Sequence, residues 1–300
     1  MRNVVVLSLG EHPSGGCDGG CCGAAGPAPR VPVLTCADAL TSAGARVDLV
    51  TACSDAELDA AVKPLIAGEA ELIVAADSDG QLRAVLRRLV RAYAPAPSRR
   101  SEHDLAAGRT MPDLPPIGVL PLAPAVPQLV TELGLPTDPV AVAAAVLGGR
   151  SRRLDLLRND HGSVTLRGAL VGGVDESGAV AVPWRGRVEV DDAVLTDGEE
   201  PLLACAISNA GPVTVDGLPL ITDAPPDDGR ISVAIAVPVR ARRAFRAPTV
   251  RFEVRRARGR AVAVTPRDVE IPLLDDGVAG TLSRKRSWWS ERSAWAAYIP

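Results

Sequence analysis

Two stretches decide how this chain is read: residues 71–90, ELIVAADSDGQLRAVLRRLV, and residues 117–149, IGVLPLAPAVPQLVTELGLPTDPVAVAAAVLGG. Each opens on a short β-branched and aliphatic run, passes through a turn, and continues with apolar residues at helical spacing. Each therefore reads as a strand, a turn and a helix. The pattern extends outward from both. Strand-like runs at 3–9, 46–50, 72–75 and 117–120 alternate with helical patterns at 34–43, 55–67, 81–93, 126–133 and 140–147. Alternation at this spacing predicts βαβ units and a mainly parallel sheet. Asp55 and Asp79 stand where N-caps belong, and Asp138-Pro139 reads as an N-cap followed by an N1 proline. Residues 94–116, rich in Pro, Ser, Arg and Asp, read as an exposed loop.

After Arg153 the pattern changes. Short β-rich runs at 163–170, 180–184, 187–190, 202–208, 213–215, 231–239, 250–255, 261–265 and 269–274 follow one another without helical segments between them. Such a series predicts an antiparallel sandwich or barrel. The domain expectation is thus 1–152 for an α/β domain, 153–282 for a β-sandwich, and 283–300 for a basic, Trp-rich tail that packs back on the α/β domain.

Composition narrows the function. The 300 residues are 47% hydrophobic, enough for two cores, and no run of about 18 apolar residues is present to form a spanning helix. The apolar start is strand-length and too short for a secretory h-region, so the expected location is the cytoplasm. A net charge of −3 supplies no general attraction to nucleic acid. Only Lys63 and Lys285 are lysines, so arginine is the default cation here and a single Arg carries little weight. The six cysteines, at 17, 21, 22, 36, 53 and 205, are unevenly spaced and read as thiols.

The order of segments, and several short motifs, resemble the diacylglycerol kinase and sphingosine kinase family of lipid kinases. The resemblance covers most of the chain. Asp77-Ser78-Asp79-Gly80-Gln81 aligns with the family's GGDGT turn, matching at Asp79 and Gly80. Residues 121–127 (PLAPAVP) align with PLGTGND, matching at Pro121 and Leu122. Leu133-Gly134-Leu135-Pro136, Arg153-Leu154-Asp155-Leu156, Ser208-Asn209 and 224–231 (APPDDGRI) fit the frame. Leu274-Asp275-Asp276-Gly277-Val278 falls where the family has Leu-Asp-Gly-Glu. The resemblance implies an α/β nucleotide-binding-type domain followed by an antiparallel β-sandwich, as in the diacylglycerol kinase/NAD kinase-like fold, with the active site in the cleft between them. It further implies ATP-dependent phosphorylation of a lipid hydroxyl. Asp276 would then be the general base, Asp79 and Gly80 the nucleotide or magnesium contact, and Asp228 a ligand of a structural Mg²⁺.

The residues themselves argue both ways. The family's glycines let backbone N–H groups approach phosphate at a helix start, whereas Asp77 adds a negative charge there and Ser78 narrows the space. Pro124 and Pro127 remove further donors, and Val278 replaces the Glu that would accompany a base. A polar helix-capping turn at 77–80 and an Asp-Gly hairpin turn at 228–229 are the alternatives to ligand sites. Two hypotheses follow: a lipid kinase with reduced activity using ATP and Mg²⁺, or a pseudokinase holding a lipid, nucleotide or protein in the interdomain cleft. A homodimer and peripheral contact with the inner membrane face are compatible with either.

Four further features bear on function. Cys17, Cys21 and Cys22 in a glycine-rich loop offer thiolates to zinc or a redox partner but are one short of a closed site. His12-Pro13-Ser14-Gly15-Gly16 echoes the family's Asn-Pro-x-Ser-Gly turn. Nine arginines between 240 and 260 form either a solvated face or a surface for anionic headgroups. Trp288, Trp289, Trp295 and Tyr298 beside Arg284, Lys285 and Arg286 suit either core docking or an interfacial anchor. No Walker A motif or GxSxG elbow occurs, and His12, His103 and His161 lie apart in loop-like contexts.

Overall fold

The computed structural model describes residues 1–10, 30–94, 108–122, 127–173, 182–241, 249–267 and 270–300. Cys17, Cys21 and Cys22, the 12–16 echo, His103 and residues 123–126 of the second turn lie outside the described residues. The chain divides into two compact units, 1–154 with 294–300, and 155–293.

The first unit is α/β. Its elements are β1 (Asn3–Leu9), α1 (Val31–Ser42), β2 (Arg46–Ala52), α2 (Asp55–Ile66), β3 (Glu71–Ala76), α3 (Asp79–Tyr93), β4 (Pro116–Pro121), α4 (Gln128–Leu133) and α5 (Pro139–Gly148). The sheet runs β2-β1-β3-β4 with every pairing parallel. Parallel strands covered on both faces carry unbroken apolar runs, and Val4 to Leu7 and Leu72 to Ala76 are buried without interruption. α3 contributes Leu82, Val85, Leu86 and Leu89, all fully buried. Gly118 is required by packing: a Cβ there would stand 2.9 Å from both Ile73 Cγ1 and Val146 Cγ2.

Helix starts differ from expectation by one residue. Ser54 and Ser78 are the N-caps, in extended conformation, and Asp55 and Asp79 are the first helical residues. Ser54 accepts from Glu57 N, so the hydroxyl does the capping and the adjacent carboxylate sits in the first turn, where the helix dipole favours it. Asp138 caps α5 as expected, accepting from Val140 N and Ala141 N at 3.0 Å, with Pro139 next.

The second unit is an antiparallel sandwich. β5 (Ser151–Asn159) leads in, followed by β6 (Val164–Thr165), β7 (Gly168–Gly172), β8 (Gly186–Val190), β9 (Ala193–Thr196), β10 (Ala204–Ser208), β11 (Val213–Val215), β12 (Leu218–Ile221), β13 (Ile231–Ala241), β14 (Thr249–Gly259), β15 (Ala261–Pro266), β16 (Ile271–Asp275), β17 (Val278–Leu282) and β18 (Arg286–Tyr298). One sheet has the order β14-β13-β10-β7-β16-β17; the other pairs β18-β15-β8-β9, with β5 also on β18. Cys205, Ile207, Val233, Ile235 and Leu273 from the first sheet share a core with Val188, Val190, Val262, Val264 and Trp288 from the second.

Residues 286–298 of the expected tail form a long strand. β18 begins in the sandwich, and its last residues pair in parallel with β4 through Ala296↔Pro116 and Ala297↔Ile117. Trp288, Trp295 and Tyr298 are buried, so these rings serve the cores and are not displayed as an anchor. Among the described arginines of the 240–260 stretch, Arg255, Arg256 and Arg258 are tied down, the last by Asp228. Arg255 donates to Leu195 O at 3.1 Å and pairs with Glu200 and Glu253, while Arg256 donates to Leu220 O and Pro219 O at 2.6 and 2.8 Å. No helix among the described residues is long and apolar enough to cross a membrane.

Candidate functional site

The chain steps from β1 out to β2 and returns past β1 to β3, so the connections diverge between β1 and β3. In an open parallel sheet, ligands bind at the strands' carboxyl ends beside such a switch point. Gly10 closes β1, donating to Ala52 O at 3.0 Å, and a Cβ on it would lie 2.6 Å from Cys53 Sγ. After β3 come Asp77, Ser78 and Asp79. After β4, Leu122 N donates to Ala76 O at 2.9 Å, drawing the two turns together.

The groups of the β3 turn are engaged with one another. Asp79 is buried, and its Oδ1 accepts from Leu129 N, in the first turn of α4, at 3.0 Å. Asp77 N donates to Gln81 Oε1 at 3.0 Å, and the Asp77 carboxylate faces the Arg30 guanidinium at 3.5 Å. Gly80 is half-buried in the first turn of α3. Asp79 is therefore a remote cap that fixes the start of α4. The family-like Asp was legible in the sequence; its partner Leu129, and the roles of Arg30 and Gln81, were not.

Asp276 lies in the second unit. With Gly277 it forms the two-residue turn between β16 and β17, at φ 49 and 78. It is buried, and its carboxylate accepts from Leu166 N at 2.7 Å, Arg167 N at 2.8 Å and Gly168 N at 3.0 Å, while its own N–H donates to Gly168 O. Burial raises its pKa first and the Asp275 charge second, against the lowering effect of the three N–H groups. Asp275 beside it accepts from Thr165 Oγ1 at 2.7 Å. This carboxylate organises the β6–β7 corner.

Asp228 occupies a turn as well. Its Oδ1 accepts from Arg230 N at 2.9 Å, and its other oxygen pairs with Arg258. The more deeply buried acid nearby is Asp155, whose oxygens accept from Gly229 N at 2.5 Å and Ser293 N at 2.6 Å. Burial pushes the Asp155 pKa up, and the charges of Asp228 and Asp227 add to this. Asn209 donates to Asp155 O and Leu166 O, completing a polar hub that the sequence signalled only as frame matches.

No protein-family model and no curated protein matches the sequence. Solved structures do match. A crystal structure of a diacylglycerol kinase from Bacillus anthracis strain Sterne superposes with a TM-score of 0.62 at 11% identity, covering 100% of this chain and 97% of that one. Two further structures from the same strain, given that designation provisionally, match at TM-scores of 0.65 and 0.62, with the same identity and coverage. The fold is that of the diacylglycerol kinases.

The β3 turn stands at a helix start beside the switch point, a place where a nucleotide phosphate could be held. A phosphate is held there by free backbone N–H groups and positive potential at a helix start. Here Asp77 N and Leu129 N already have acceptors, and two carboxylates stand beside them. These residues do not fit ATP phosphates. Nor do the residues around Asp228 fit Mg²⁺, a cation that wants several free oxygens. The Asp228 carboxylate meets an arginine and a backbone N–H, and the Asp155 oxygens meet two N–H groups. Among the described residues no group of three or more His, Cys, Asp or Glu side chains is arranged to hold a metal.

Proposed function

We propose that this chain uses the diacylglycerol kinase fold for binding and not for transferring phosphate from ATP. The observation that carries this reading is the Asp79–Leu129 bond together with the Gln81–Asp77 bond, which place the protein's own acceptors on donors that a phosphate would need. A nucleotide would have to replace two internal hydrogen bonds, each worth about 0.5–1.5 kcal/mol net. It would do so while bringing its negative charge toward Asp77 and Asp79. Arg30 opposes only part of that charge, because its guanidinium already faces Asp77. Asp276 supports the same reading: its carboxylate is engaged by three N–H groups, whereas a general base needs a lone pair aimed at the substrate hydroxyl. The ligand surface of the first unit is then the carboxyl end of β1 and β3, where Gly10, Arg30 and Cys53 are grouped with the Asp77 turn.

The test is transfer of labelled phosphate from ATP, with Mg²⁺, to vesicles containing diacylglycerol. The reading expects no labelled lipid above the protein-free control. Labelled lipid formed by the purified chain and lost on Asp276→Asn would overturn it.

A further inference from the structure

α3 carries arginine at 83, 87 and 91, so three cations follow one another along one side of the helix, rising about 6 Å per step. Like charges at this spacing repel, and the helix gains nothing from them on its own account. The adjacent Arg88 shows how this fold treats a cation that it uses internally: it is buried and pairs with Asp55 and Asp59 of α2. Arg87 has no such arrangement. It is half-buried, and its Nε–H is closed off from solvent with no acceptor. Among the described residues no carboxylate pairs with Arg87 or with Arg91. Burial first, and then the charges of Arg91 and Arg83, lower the Arg87 pKa.

The surroundings of the row decide what fits it. Arg83, Ala84 and Arg87 are all half-buried, so the middle of the row is recessed and is reached by projecting side chains better than by a flat lipid surface. No large apolar side chain of α3 is exposed, which removes the wedge that an interfacial helix pushes into a bilayer. Nucleic acid is held by stacking as well as charge, and the one aromatic ring of α3, Tyr93, is half-buried with its hydroxyl donating to Ile66 O at 3.4 Å. Carboxylates suit arginine, whose planar fork takes both oxygens at once. A helix with Asp or Glu at every fourth residue repeats at the same step of about 6 Å, and four-residue ridges of two helices mesh at a crossing of about −50°.

We propose that the Arg83–Arg87–Arg91 face of α3 docks an acidic helix of a partner protein, with carboxylates four residues apart. Arg87 stands at the centre of the contact, where the partner's carboxylate supplies the acceptor that the fold withholds. This face takes its partner whether or not the β3 turn holds a ligand.

The probe is a labelled, alanine-rich peptide with Glu at every fourth position, titrated into the full-length chain at about 50 mM salt and followed by fluorescence anisotropy. Saturable binding with a dissociation constant below about 100 μM is expected. The same peptide with its glutamates at alternate positions spreads them around the helix and should bind at least about tenfold more weakly. Arg87→Met keeps an unbranched stem and removes a cation that has no internal partner. It is expected to weaken binding at least about tenfold with an unfolding midpoint no lower than the parent's. Arg87→Lys keeps the charge but not the fork and should fall between the two. Arg251→Met, on exposed β14, should bind as the parent does. Binding weaker than about 100 μM, equal binding of the two peptides, or a lowered midpoint for Arg87→Met with peptide affinity kept would each overturn the proposal. So would Arg87-dependent binding to phosphatidylglycerol vesicles or a single-stranded oligonucleotide that is tighter than to the peptide.

Discussion

Replacing Asp276 by Ala separates an organising carboxylate from a catalytic one. The substitution removes the acceptor for Leu166 N, Arg167 N and Gly168 N. Leu166 is buried, and the other two residues are half-buried, so water reaches them only in part. Burial and the Asp275 charge hold the carboxyl above the ordinary Asp range, which argues for using the net value of a neutral hydrogen bond, about 1 kcal/mol each. Three bonds then contribute about 3 kcal/mol. The backbone at φ 49 adds roughly 1 kcal/mol against Ala. Urea unfolding followed by tryptophan fluorescence, which reports on buried Trp184 and Trp288, is expected to show a loss of about 3–4 kcal/mol. Asp276→Gly relieves the backbone cost and should lose about 1 kcal/mol less. A loss below about 1 kcal/mol for Ala would refute the assigned role, because three deserted donors cannot be that cheap.

Other consequences are open to direct measurement. The raised pKa of Asp276 means that the folded state holds this proton more tightly than the unfolded chain does. Its contribution is full below the unfolded value near 4 and is lost as pH climbs through the raised value, so the stability advantage over Asp276→Asn should shrink from about pH 4 upward. Gly118→Ala forces a methyl to within 2.9 Å of Ile73 and Val146 and should cost about 1–3 kcal/mol in a denaturant titration. Burial pushes the Cys36 thiol up to about 11 and the Cys205 thiol up to about 12, so neither should react with a thiol reagent at pH 8 until the chain is unfolded.

The elements most legible in the sequence were those whose burial is uniform. β1, β3 and β4 lie in a parallel sheet and spell continuous apolar runs, and α3 has a single apolar face. Boundaries slipped where two good candidates adjoin: in Ser54-Asp55 and Ser78-Asp79 both residues suit a helix start, and the serine holds the N-cap position, with a side-chain cap bond at Ser54 and none at Ser78. β17 escaped notice because an exposed edge strand has no burial pattern to read. β18 was read as a basic, aromatic tail packing back on the α/β domain and not as a strand, because Ser290 and Glu291 interrupt its alternation, although both are buried.

The candidate site divides along a similar line. Asp79, Asp228 and Asp276 were identifiable as acids at turns, and each is engaged. What they are engaged with comes from contacts across 50 or more residues for Asp79–Leu129 and 108 to 110 for Asp276. Local sequence does not encode such partners. An Asp-Gly pair suits both a catalytic loop and a two-residue hairpin, and here φ 49 and 78 satisfy the hairpin.

The claim that the β3 turn no longer receives phosphate is tested most directly by calorimetric titration of ATP with Mg²⁺ into the full-length chain. The account predicts no saturable heat up to millimolar nucleotide and an unchanged unfolding midpoint, where a bound ligand at a hundred times its Kd would add about 2.7 kcal/mol of stability. A saturable isotherm at micromolar nucleotide that is lost in Asp79→Ala would contradict it.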